Sequence, residues 1–274
     1  MNWRTMLREG LPPALHRAIA QATGRAVRFD GRFKDWSGAS AASTGYAHGA
    51  ILDRVIRASR EVEAGRAAFE RDAVLFDVWK APVQLLAPLL RHAARCGGHL
   101  EVVDFGGSLG SSYRQCRPFL PALASLRWYV IEQPGFVAAG RAEFENETLS
   151  FHDTVDALPP AAVPRLLLAS SVLQYLEAPL EAIAGWDVPS IRAVLIDRTP
   201  VWSGATHCPC VQHVPRHIYP ASYPCWVLSQ PRLLERLAQR WRLVYEFDSV
   251  EGRHAARGGP TFDFKGFYLE DRDT

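Results

Sequence analysis

The chain has 274 residues, of which 48% are hydrophobic and 22% charged, and its formal net charge is +2. These are the values of a globular, enzyme-like protein with a sizeable core, and they exclude a disordered or strongly charged chain. The 28 arginines and three lysines are scattered among acidic residues. The basic stripe that nucleic-acid binding requires is missing, so no nucleic-acid partner is expected. Five cysteines at irregular spacing (Cys96, Cys116, Cys208, Cys210, Cys225) and an N-terminus without the unbroken apolar stretch of a signal peptide point to a reducing, cytoplasmic setting. No apolar run reaches the roughly 20 residues that span a bilayer, so no integral membrane segment is expected.

Residues 11–20 have an amphipathic pattern that suits a helix packed on its own domain. Residues 31–46 are rich in small side chains yet carry Phe33, Trp36 and Tyr46; they read as an ordered loop. From about residue 50 to 95, Ile51, Val55, Ile56, Phe69, Val74, Phe76, Leu85, Leu86, Leu89 and Leu90 recur at helical spacing. Residues 1–96 are therefore expected to form a mostly helical cap. After Gly97-Gly98 the period changes to short apolar runs at 101–105, 127–132, 149–152, 165–170 and 192–197. Helical or loop segments separate them, which predicts a parallel βαβ sheet with helices on both faces. Two later runs, 242–248 and 264–269, predict an antiparallel pair at one sheet edge. The domain expected over 97–274 carries an insertion at about 199–230.

The first run ends in Asp104-Phe105-Gly106-Gly107-Ser108-Leu109-Gly110. Glycines there let the backbone approach a ligand and aim its N–H groups, with the next helix N-terminus, at an anionic or polar cofactor. Phe105 stands where the dinucleotide fingerprint has its first glycine. In doubly wound sheets, ligands sit beyond the carboxyl ends of the strands, so the strand ends supply the candidates. They are Asp104, Gly106, Gly107, Ser108 and Gly110 in the turn, and Glu132 with Gln133 after the second strand. A carboxylate one βα unit on, with two acceptor oxygens, suits a pair of ribose hydroxyls; the alternative is a solvated or helix-capping acid. Asp153 suits an adenine amino group or caps a turn. Ser170 and Ser171 let the chain pass close beneath a cofactor. From the cap, Arg71 either clamps a cofactor carboxylate or pairs with Glu70 or Asp72 on a helix surface, and Tyr46 adds a polar group.

Beyond the fifth run lie Asp197-Arg198 and then His207, Cys208, Cys210, His213, His217, Tyr219, Tyr223, Cys225 and Trp226. Asp197 and His213 are the candidate bases for an oxygen acceptor, with Tyr223 as a further group. Arg198 either orients an acidic or phosphorylated acceptor or forms a structural ion pair with Asp197. The Cys-x-Cys spacing, flanked by prolines, is not that of a zinc site, and no metal is expected.

Taken together, Gly31, Phe33, Trp36, Ala39, Gly45 and Tyr46, with FERD (69–72), DFGGSLGSSY (104–113), IEQP (131–134), SSVLQYLE (170–177), IDRTP (196–200), VQHVP (211–215) and YPASYPCW (219–226), resemble a family of bacterial S-adenosylmethionine (SAM) dependent methyltransferases. The resemblance covers nearly the whole chain, and the family is often associated with surface-polysaccharide biosynthesis. It implies an α/β, Rossmann-like (class I) fold with a seven-stranded, mostly parallel sheet and an antiparallel C-terminal strand pair at one edge. It further implies SAM as cofactor and methyl transfer as the reaction, and supplies no acceptor; a small or carbohydrate-linked acceptor, methylated at oxygen, is the reading adopted for this chain. The superfamily's common pattern alternates glycines after the acid; here Ser108 takes the middle place and Gly107 precedes it. The rival readings are a noncatalytic SAM-binding or scaffold protein in a biosynthetic assembly, and an NAD(P)-dependent oxidoreductase or epimerase. Homo-oligomerisation is left open.

Overall fold

A computed structural model describes residues 27–44, 48–215 and 221–272. Tyr46, His217, Tyr219 and the amphipathic segment 11–20 lie outside the described residues. In chain order the elements are β1 (Arg28–Asp30), α1 (Trp36–Ala42), α2 (His48–Glu63), β2 (Phe69–Arg71), β3 (Val74–Phe76), α3 (Val83–Arg95), β4 (His99–Phe105), α4 (Ser111–Cys116), β5 (Ser125–Ile131), α5 (Pro134–Glu143), β6 (Leu149–His152) and β7 (Arg165–Ser170). They continue with α6 (Pro179–Ala184), β8 (Ile191–Trp202), β9 (Cys208–His213), β10 (Ser222–Ser229), α7 (Gln230–Leu237), β11 (Trp241–Arg257) and β12 (Thr261–Asp271). No described helix is long and apolar enough to cross a membrane.

The described chain divides into two compact units. The larger comprises 48–207, 227–254 and 262–272, and the smaller comprises 27–44, 208–215, 221–226 and 255–261. Residues 1–96, expected as one cap, are thus split: 27–44 group with the smaller unit, and 48–96 with the strands that follow them.

In the larger unit the strand order is β11-β12-β8-β7-β4-β5-β6. Strands β4 to β8 run parallel, and β12 is antiparallel to β8. Val102, Val103, Leu166, Leu167, Leu168 and Ala193 to Ile196 are all buried. Such unbroken apolar strands are what a parallel sheet covered on both faces demands. The stripe of Leu85, Leu86, Leu89 and Ala93 on α3 and Val55 on α2 enter the same core, as the helical spacing predicts. The seven-strand expectation is corrected in number and in the place of the C-terminal pair: ten sheet strands are described besides the β2/β3 pair, and β11 and β12 are not at an edge. The additional strands are β1, β9 and β10.

Residues 69–76 are a second correction. They form an antiparallel hairpin with Phe69 opposite Phe76, the two rings stacked at 4.5 Å and 3°. Asp72 and Ala73 at its tip have φ of 52° and 62°, the paired left-handed residues that a two-residue hairpin turn needs. In the smaller unit the expected loop 31–46 contains helix α1, because the Asp35 carboxylate accepts the Gly38 N–H at 2.8 Å and caps it. There β1 lies between β9, antiparallel, and the end of β11, parallel. Trp36 stacks on Trp226 at 5.4 Å.

At the amino ends of the parallel strands, Glu101 and Arg165 are paired neighbours on β4 and β7. Both are buried, and Arg165 Nε donates to Glu101 at 2.8 Å. The Ala162 N–H satisfies the other carboxylate oxygen, and the Pro159 carbonyl accepts from Arg165 Nη2. Removing one partner strands a buried charge, so Glu101→Ala is expected to cost about 3–5 kcal/mol in urea unfolding; a loss under about 1 kcal/mol would show that the pair is solvated.

Candidate functional site

Asp104 ends β4 with its side chain turned inward, 1% exposed. Its carboxylate accepts the Trp128 indole N–H at 2.9 Å. The chain then folds back over that carboxyl: a Cβ on Gly107 would lie 2.5 Å from the Asp104 Cγ, and one on Gly106 would lie 2.4 Å from Val172. Gly106 and Gly110 have φ of 71° and 90°, and Ser108 between them takes φ of 55°. The Asp-x-Gly-Gly spacing therefore has a local cause, since only glycine fits directly above the acid. Burial pushes the Asp104 pKa up to about 7, against the Trp128 hydrogen bond and aided by the nearby Glu132.

Glu132, just past β5, reaches back to this turn. Its Oε1 accepts the Ser108 N–H at 3.3 Å, and its Oε2 accepts the Gln133 N–H at 2.8 Å. Burial raises its pKa, and the two N–H bonds oppose the rise. Gln133 is exposed at the start of α5, and Asp153 is exposed 3.7 Å from Arg141. Ser170 ends β7; Ser171 follows with φ of 57° and donates its N–H to the Asp197 carbonyl.

The segment before the sheet braces the turn. Glu70 on β2 is 2% exposed and accepts from the Ser111 hydroxyl at the start of α4. Arg114, also on α4, donates to Glu63 at 2.6 Å and to the Leu109 carbonyl at 2.5 Å. Its guanidinium lies over the Phe144 ring. Sequence reasoning missed Arg114. For Glu70 the signal was present: it stands in FERD, next to a phenylalanine that must be buried.

The fourth group gathers at β8. Between Ile196↔Phe267 and Thr199↔Lys265 the pairing slips, so Asp197 and Arg198 together oppose Gly266. This is a β-bulge, with Arg198 at φ of 53°. Gly266 is required there because the Phe247 ring occupies the place of its Cβ, at 2.1 Å. Asp197 Oδ1 accepts the Ser249 hydroxyl and the Arg198 N–H, each at 2.8 Å. Burial raises its pKa, against the Ser249 hydrogen bond. The Arg198 side chain does not turn back to Asp197. Its Nε donates to Glu251 at 2.6 Å and its Nη2 to Asp72 at 2.7 Å. Burial works against the charge of Arg198, but the two carboxylates hold its pKa above the usual value. Arg71, one residue before Asp72, is half-buried, and its side chain makes no hydrogen bond or ion pair among the described residues. Burial and the nearby Arg198 lower its pKa. Its two expected structural partners are engaged elsewhere, and the segment is a hairpin rather than a helix surface. Gln174 Oε1 and Glu251 Oε2 are buried without a partner.

His213 and Tyr223 belong to the smaller unit. His213 is half-buried opposite Arg28, and burial lowers its pKa. Tyr223 is 3% exposed. Among the described residues no group of three or more His, Cys, Asp or Glu side chains is placed to hold a metal.

Three solved structures show what this chain is similar to. One is the N-terminal domain of EvdMO1 in the presence of SAH and D-fucose: 12% identity over 83% of this chain and 98% of that one, TM-score 0.47. Another is a SAM-dependent methyltransferase from Clostridium acetobutylicum: 6% identity, 78% and 97% covered, TM-score 0.45. The third is the N-methyltransferase NodS from Bradyrhizobium japonicum in complex with SAH: 14% identity, 78% and 98% covered, TM-score 0.43. No protein-family profile and no curated protein matches the chain.

Chemically, the larger unit offers a glycine turn with an acid facing it, an unpaired cation, and a bulge that presents a buried carboxylate. The raised Asp104 pKa also sets a pH dependence. The folded protein binds this proton up to about pH 7, whereas the open chain releases it near the ordinary 3.8. Stability from this group is complete below about pH 4 and is lost as pH rises through about 7. Asp104→Asn keeps an acceptor for Trp128 without the charge. In urea unfolding it should gain on the parent between about pH 4 and 7, with a constant difference above about pH 8; a gain as pH falls would reverse the assignment.

Proposed function

We propose that this protein is a SAM-dependent methyltransferase acting on a small or carbohydrate-linked acceptor, at oxygen. The observation that carries the reading is the glycine turn closed on one side by Glu132 and bordered by Ser170 and Ser171, with the unpaired Arg71 on the hairpin that braces it. A Cβ on Gly106 would collide with Val172 and one on Gly107 with the buried Asp104, so the turn carries no side chain at either place. In this reading Glu132 takes the ribose hydroxyls, Asp153 the adenine amino group and Arg71 the methionine carboxylate. Asp104 lies beneath the turn, and its role is to hold the turn rather than to touch the cofactor.

SAM, when bound, supplies an electrophilic methyl group on a sulfonium, and displacement there is in line. Asp197 is the base for the acceptor proton. Its Oδ1 is held by Ser249 and the Arg198 N–H, which leaves Oδ2 to receive it, and the raised pKa brings the carboxylate nearer to that of an effective base at neutral pH. Arg198, spent on Asp72 and Glu251, holds those acids in place instead of anchoring an anionic acceptor. The unpartnered Gln174 and Glu251 oxygens accept only, which favours an acceptor that brings hydroxyl donors.

Calorimetry is expected to show SAM and SAH binding. Glu132→Ala should weaken SAM by about 1.5–3 kcal/mol, the worth of hydrogen bonds to a charged group. Arg71→Ala should weaken SAM more than adenosine, which lacks the carboxylate. Undiminished SAM affinity in both variants would overturn this placement. Once an acceptor is found by screening glycans, sugar nucleotides and small hydroxylated compounds, Asp197→Asn should slow turnover about 10²–10⁴-fold at unchanged SAM affinity. A parental rate in Asp197→Asn would remove Asp197 as the base.

A further inference from the structure

The smaller unit holds three of the five free cysteines: Cys208 and Cys210 on β9, and Cys225 on β10. Residues two apart on a strand project to the same face, about 6.6 Å apart along the chain. That separation falls within the Cα range a disulfide bridges, and bringing the two Cβ atoms to the roughly 3.8 Å it also needs takes a local twist of the strand at Pro209. The Cys208 and Cys210 sulfurs are 4.0 Å apart, the Cys210 thiol donating to Cys208. Space for them comes from Gly31, whose Cβ would lie 3.3 Å from Cys210 Sγ and whose carbonyl is 4.0 Å from Cys208 Sγ. The two thiols differ in access: Cys208 is half-buried, whereas Cys210 and Cys225 are fully buried. The donated S–H lowers the Cys208 pKa and favours its thiolate. Cys225 is met instead by the Gln212 backbone N–H.

We infer that Cys208 and Cys210 are an oxidisable dithiol, Cys208 reacting with a hydroperoxide and Cys210 closing the disulfide behind it. With hydrogen peroxide, the Cys208 thiolate attacks one oxygen and the O–O bond breaks, giving Cys208 sulfenic acid and a hydroxide that takes up a proton. The Cys210 sulfur then attacks the Cys208 sulfur; the S–S bond forms and the hydroxyl leaves as a second water with the Cys210 proton. One peroxide is reduced to two waters, and two thiols are oxidised to one disulfide.

The test uses the full chain, treated with one equivalent of hydrogen peroxide, alkylated and digested with trypsin. Both residues fall in the single peptide 199–216, which holds no other cysteine. The expected result is loss of two hydrogens from that peptide, reversed by dithiothreitol, and three thiols instead of five titrating after denaturation. Cys208→Ser should abolish the reaction, Cys210→Ser should leave a Cys208 sulfenic acid trapped by dimedone, and Cys225→Ser should form the disulfide as the parent does. Five unchanged thiols in the parent, a bridge from Cys210 to Cys225, or as much dimedone adduct in the parent as in Cys210→Ser would overturn the inference.

Discussion

A buried carboxyl beneath a glycine turn organises this molecule. Asp104 is buried with one strong donor, Trp128, and the chain must pass directly over it to leave β4. That path admits no side chain at Gly106 or Gly107 and forces Ser108 into a left-handed conformation. The Ser108 N–H is thereby aimed at Glu132, and α4 begins where Ser111 meets Glu70 and Arg114 reaches the Leu109 carbonyl. One desolvated acid thus fixes the geometry between β4, β5 and the hairpin that precedes them.

The second fixed point is the bulge at β8. An extra residue in a ladder turns neighbouring side chains out of their alternation, and here it lets a buried Asp197 and a fully engaged Arg198 stand side by side midway along β8. The slip depends on Gly266 and on Phe247 filling its empty face, so an aromatic ring on β11 helps decide where the carboxylate on β8 points. Arg198 in turn ties β8 to the hairpin tip and to β11 through Asp72 and Glu251. The Arg71 side chain makes no ion pair, although Glu251, Asp72 and Asp197 all act on its charge.

The runs at 149–152 and 165–170 were legible to the residue, because short apolar stretches bounded by turn residues have one reading as strands. The hairpin at 69–76 was not. Phe69 and Phe76 are seven apart, two turns of a helix, and a cross-strand pair at that separation mimics the helical period. Helix α1 hid in a Gly, Ser and Ala run whose one clear sign was Asp35 at its cap. The full lengths of β8 and β11 were hidden as well, since their outer ends alternate with polar residues and gain pairing from strands far off in sequence. At the site, the glycine turn and the acid opposite it could be read from composition and spacing. The bulge, the commitment of Arg198 and the freedom of Arg71 could not, because each depends on partners some 50 to 130 residues away.

Ser108, Ser171 and Arg198 share one property: each carries a side chain in the left-handed region, at a conformational cost of order 1–3 kcal/mol. Ser108 and Ser171 follow the carboxyl ends of β4 and β7 and Arg198 stands at the bulge of β8, while the paired, buried Glu101 and Arg165 lie nearer the amino ends of β4 and β7. The fold is therefore unevenly loaded, with energy stored at the mouth and secured by the interior. Amide exchange should reflect that gradient, with the turn amides opening through local fluctuations well below the free energy of global unfolding and the central strands exchanging only with it. Substituting glycine at those three positions would relieve the strain and loosen the mouth together, so thermal tolerance gained there trades directly against preorganisation.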